Sequence, residues 1–82
     1  MLTLILKDES IYSITKNNYI GLNDDIIVFA IDEPTNSTSI VKRKTAMLDL
    51  TVVSSIQMDE HAATSITDTA SLKSIISEYF SK

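Results

Sequence analysis

Apolar and polar positions alternate from the start of the chain, with Leu2, Leu4 and Leu6 in one phase and Thr3, Ile5 and Lys7 in the other. A period of two places each set on one face of a sheet and predicts a strand with a strongly apolar side. Asp8 and Glu9 interrupt the pattern, and residues 10–15 (SIYSIT) resume it with β-branched residues and a tyrosine, so the two segments read as a hairpin. Asp-Glu is poor chemistry for a two-residue primed turn, which predicts a longer loop over 7–10. Lys16-Asn17-Asn18 reads as a turn, because asparagine tolerates the left-handed conformation. Next come a short strand over 19–22, around Gly21, and a turn at Asn23-Asp24. Residues 25–31 (DIIVFAI) are apolar without a break after the first, the pattern of a central strand covered on both faces. Asp24 and Asp25 before this aggregation-prone run, and Asp32, Glu33 and Pro34 after it, read as gatekeepers.

Proline, asparagine and clustered hydroxyls make 33–39 a loop. Residues 40–47 admit two readings. As a helix, Ile40, Val41, Lys44, Met47 and Leu48 share a face, with Ser37, Thr38 or Ser39 as N-cap. As a strand, the segment runs on into the alternating stretch that begins at Leu48. The good helix formers Lys42, Arg43 and Lys44 favour a short helix near 38–47. Alternation is clearest over 48–58, with Leu48, Leu50, Val52, Ile56 and Met58 in one phase, broken only by Ser54. Asp59, Glu60 and His61 turn the chain, and 62–66 reads as a short edge strand or a linker. Leu72, Ile75, Ile76, Tyr79 and Phe80 then take the i, i+3, i+4, i+7, i+8 spacing of one helix stripe. Thr67, Asp68 and Thr69 are candidate caps for that helix, and Lys82 suits the negative end of its dipole. These elements predict one α+β domain: an antiparallel sheet of four or five strands with the C-terminal helix packed on one face.

Composition narrows the function more than it names one. The chain has 82 residues, of which 44% are hydrophobic, more than so small a globule hides in one core. The excess implies a contact surface. Lys7, Asp8 and Glu9 end the apolar start far short of a signal peptide's apolar region, and the run 26–31 is far short of the about 20 residues of a membrane helix. A soluble cytoplasmic protein is expected or, for a viral chain, one of the host cytoplasm or the virion. Asn36-Ser37-Thr38 matches a glycosylation acceptor but, without an export signal, reads as a polar loop. The absence of cysteine rules out disulfides and thiolate chemistry.

Candidate chemistry is sparse. Asp59 and the single histidine, His61, have the i, i+2 spacing of two ligands on one strand face, though a polar turn explains both. The acid pairs Asp8-Glu9, Asp24-Asp25, Asp32-Glu33 and Asp59-Glu60 each fall at a predicted strand end, as solvated turns do; gathered at one end of the sheet, they would form an acidic rim able to recognise a basic surface. No nucleophile motif occurs, and one glycine cannot build a phosphate-cradling loop. The expectation is therefore a non-enzymatic protein with no cofactor, metal or small-molecule substrate. The leading reading is a self-associating interaction or structural subunit, of the size and composition of accessory proteins in bacteria and their viruses. Its candidate contact residues are Tyr12, Tyr19, Asp24, Asp25, Asp32 and Glu33, since tyrosine rings bury readily at interfaces. Two alternatives stand beside it. One is an acidic inhibitor that covers a basic site; the other is a weak nucleic-acid binder working through Lys42, Arg43 and Lys44, against which the net charge of −4 counts.

Overall fold

A computed structural model describes residues 1–34, 41–66 and 68–81. Residues 35–40, 67 and 82 lie outside the described residues, and with them most of the expected loop, the candidate caps Ser37, Thr38, Ser39 and Thr67, and Lys82. The order is β1 (Leu2–Leu6), β2 (Ile11–Ile14), β3 (Tyr19–Asn23), β4 (Ile26–Pro34), β5 (Val41–Asp49), a 3-10 turn (Leu50–Val52), β6 (Val53–Met58), β7 (Thr64–Ser65) and α1 (Thr69–Phe80). The fold is α+β. Its described strands form two antiparallel sheets, β2-β1-β6-β7 and β3-β4-β5, where one sheet of four or five strands was expected.

The first sheet is built on the Leu2, Leu4 and Leu6 phase, all of it buried. Ile14 and Met58 flank Leu2 across the sheet, and Tyr12 and Ile56 flank Leu4, so one apolar face faces the core. Residues 7–10 form the expected longer loop, closed by Leu6 N–H donating to Ser10 O at 2.8 Å. Asp8 Oδ1 accepts from Ser10 N–H at 2.9 Å, and Glu9 takes a φ of 73°.

The second sheet corrects two expectations. β4 is its central strand, but it is not covered on both faces: Ile27, Phe29 and Ala30 are buried, while Ile26 and Val28 stay partly exposed and Ile31 is exposed. The segment read as a short helix near 38–47 is strand β5 over its described part. Its nine residues pair one to one with β4, from Pro34 opposite Val41 to Ile26 opposite Asp49. Helix propensities differ by only tenths of a kcal/mol per residue, too little for Lys42, Arg43 and Lys44 to outweigh a complete ladder.

The alternation over 48–58 is not one strand either. Asp49 caps the 3-10 turn, its Oδ1 accepting from Thr51 N–H and Thr51 Oγ1, each at 2.9 Å. The turn drops Leu50 into the core and carries the chain from the second sheet to the first. Leu50 N–H donates to Asp25 O at 2.8 Å, and Lys7 N–H donates to Val52 O at 2.9 Å, so the turn ties the sheets together. In α1, Asp68 is the N-cap, accepting from Ser71 N–H at 2.6 Å. That bond and the Ser71 hydroxyl hold the Asp68 carboxyl below its usual range. Leu72 and Ile76 are buried, and Phe80 stacks on Tyr19 with centroids 4.1 Å apart.

Candidate interaction surface

The molecule measures 42 × 25 × 23 Å, and the β4–β5 hairpin carries a run of exposed strand residues. Beyond the buried Ala30 on β4, Ile31 and Asp32 are exposed, as are Lys42, Arg43, Lys44 and Thr45 on β5. Apolar residues supply the core at one end of this hairpin, and charged residues cover the other.

The outward face of the second sheet is apolar near the body. Val28 lies between Gly21 and Met47, and Ile26 between Asn23 and Asp49. Met47 is 72% exposed and Ile20, at the β3 irregularity, 57%. A side chain at Gly21 would stand in open space, so among the described residues nothing covers this part of the face. Farther along it, Arg43 Nε donates to Asp32 Oδ1 at 3.1 Å.

Among the described residues no strand pairs with the edge beside this face. β5 is the last strand of its sheet. In an antiparallel pair, backbone N–H and C=O groups point alternately toward and away from the neighbour. Leu50 N–H donates to Asp25 O, whereas Ala30 N–H donates to Asn18 O on the opposite side of β4. Odd positions of β4 therefore address β5. Even positions of β5 address β4, and Arg43, Thr45, Met47 and Asp49 turn their backbone groups to the open edge.

The residues singled out from the sequence are scattered. Tyr12 and Tyr19 are half-buried, with their rings against the core: Tyr12 meets Phe29 edge-on at 6.0 Å, and burial pushes the Tyr19 hydroxyl above its usual pKa. Asp24 and Asp25 form the β3–β4 turn, with Asp24 at φ 53° and Asp25 3.5 Å from Lys73 Nζ. Asp32 and Glu33 lie at the far end of the same strand, about 20 Å away at 3.3 Å per residue. The Asp8-Glu9 and Asp24-Asp25 turns share the end near Leu50–Val52, while Asp32-Glu33 and Asp59-Glu60 do not, so the four pairs form no single rim. The basic cluster divides too. Along β5, Lys42 and Lys44 alternate with Arg43, and Arg43 is already bound to Asp32.

Asp59 belongs to a different arrangement. Its Oδ1 accepts from the Met1 ammonium and from the Tyr79 hydroxyl, both at 2.7 Å. The ammonium bond, then the Tyr79 bond, lowers the Asp59 pKa; the same contact with Asp59 raises that of Tyr79. His61 is exposed nearby, on a shallow depression of about 380 Å³ that Lys16, Met58, Asp59 and Tyr79 also line. Among the described residues no three histidine or carboxylate side chains gather as a metal set, and no helix is long and apolar enough to cross a membrane.

Sequence reasoning missed Ile20, Val28, Met47 and Asp49 as surface residues. A signal was present: Met47 falls in the phase opposite to Ala46 and Leu48, the outward phase if the segment is a strand. The helix reading hid it. Comparison with known proteins returned no match: no family model fits the chain, and no curated protein or solved structure is significantly similar to it.

Proposed function

We propose that this α+β protein is a non-catalytic interaction or structural subunit that associates with itself through the outward face and free edge of its second sheet. One observation carries the reading. The central strand has a sequence suited to cover on both faces, and within the chain Ile26 and Val28 remain partly exposed beside Met47 and Ile20. A second layer or a continued sheet would remove that apolar surface from water, at about 25 cal/mol per Å². The divided acidic turns lend little to an inhibitor of a basic site. The Arg43–Asp32 pair draws charge away from a phosphate-binding role for the basic cluster.

Light scattering on the purified protein after size exclusion, at low and high salt, tests the proposal. Apolar burial predicts a mass above 9.1 kDa that persists in high salt. A monomer at every concentration and salt would refute it.

A further inference from the structure

The outward face and the β5 edge together specify more than association. They specify a partner strand and its register. We infer that the edge is completed by β5 of a second copy of this chain, running antiparallel about a twofold axis at Ala46, so that two three-stranded sheets become one. This rests on the self-association proposed above.

Three observations converge on that geometry. First, the edge presents the backbone groups of Arg43, Thr45, Met47 and Asp49, and a pairing centred on Ala46 sets Arg43 opposite the second copy's Asp49 and Thr45 opposite its Met47. All four are odd positions, so each pair exchanges backbone hydrogen bonds. Second, this register is electrostatically self-complementary. Arg43 and Asp49 lie on the same outward face as Asp32 and carry opposite charges, and the twofold makes their pairing reciprocal. Each Arg43 then stands between its own Asp32 and the other copy's Asp49. Asp49 holds Thr51 through Oδ1, and Arg43 holds Asp32 through Nε, a single one of the guanidinium's five donors. Third, neighbouring registers lose this match. Centring on Lys44 sets Lys44 against Lys44, a like-charge pair, and centring on Thr45 sets Arg43 against Met47. In the Ala46 register Met47 lies between Val28 of its own chain and Thr45 of the other, so the most exposed large apolar side chain of the outward face becomes interior to a continuous sheet. The charges that favour one register oppose open-ended edge-to-edge aggregation.

The chain contains no cysteine, so single introduced cysteines report the register directly. With the axis at Ala46, its two copies form a pair without mutual hydrogen bonds, with Cα atoms about 4.5 Å apart, within disulfide reach. Copies of Thr45 or of Met47 are then displaced by two residues each and stand about 8 to 9 Å apart, beyond that reach. Under mild oxidation Ala46→Cys is expected to give a covalent dimer at least about tenfold faster than Thr45→Cys or Met47→Cys, by the difference in reach. A second experiment uses charge. Arg43→Glu and Asp49→Lys each make the facing pair like-charged and weaken self-association by about tenfold. Mixing the two variants restores opposite charges on both sides of the axis and recovers a heterodimer. An oligomeric wild type whose Ala46→Cys variant does not cross-link, or whose charge variants are not rescued by mixing, overturns this geometry and leaves self-association standing. A wild type that stays monomeric overturns both, whether or not another strand docks on the edge.

Discussion

Leu4→Ala lowers the stability of the fold by about 3 kcal/mol, a large share of the roughly 4 to 12 kcal/mol expected for a domain of this size. Leu4 lies on the central part of β1, fully buried, with Tyr12 on one side and Ile56 on the other. Its inward face meets the common core that both sheets and α1 share, so truncation leaves a cavity that no single element can close. Ile11→Ala is the control. Ile11 is 64% exposed on the edge strand of the same sheet, and its loss changes stability by less than about 0.5 kcal/mol. Urea unfolding of both variants at one protein concentration checks the contrast, because association shifts apparent stability by mass action. Equal losses from the two would mean that the leucine phase of β1 does not face the core.

Thr45→Pro separates assembly from folding. The alternation along β5 turns the Thr45 N–H away from β4, so proline there removes a donor from the open edge and leaves the β4–β5 ladder intact. The variant keeps a cooperative melt and loses self-association by about a hundredfold or more, since proline on an edge strand blocks added pairing. Ala46→Pro does the reverse. The Ala46 N–H faces Phe29 on β4, and its loss breaks the hairpin near the core and destabilises the monomer itself. Size exclusion and thermal melts on the pair give the answer. If Thr45→Pro still associated as the wild type does, the β5 edge would not be the contact.

Much of the fold is legible in the residues. The Leu2, Leu4, Leu6 phase and the Leu72–Phe80 stripe appear as the pattern predicts, because each has one buried face and a period to mark it; the 7–10 loop follows from its turn chemistry, and the central position of β4 from its unbroken apolar run. β5 misleads for the opposite reason. Its outer half is exposed on both faces, so Lys42, Arg43 and Lys44 show no alternation, and their helix propensity is the only local signal. Long-range pairing with β4 decides that segment, and pairing is not written in the segment itself. The 3-10 turn is hidden because Leu50 and Val52 continue the period-two phase of their neighbours; only the Asp49 cap on Thr51 distinguishes the turn. Tyr12 and Tyr19 read as candidate contact residues in the sequence; the rings of both pack against core or helix residues. The proposed contact surface is legible only as an excess of apolar residues. Its location depends on knowing which face of β4 the chain leaves open.

The most direct test of the account is amide hydrogen exchange along β5, resolved residue by residue at a protein concentration where the oligomer forms. The even positions Ala46 and Leu48 are protected by β4 in any case. The account predicts that Thr45 and Met47 are protected as well, exchanging about a hundredfold or more slower than exposed loop amides and losing that protection on dilution. Fast exchange at Thr45 and Met47 at every concentration, with Ala46 and Leu48 still protected, would show an edge that no second strand covers and would contradict it.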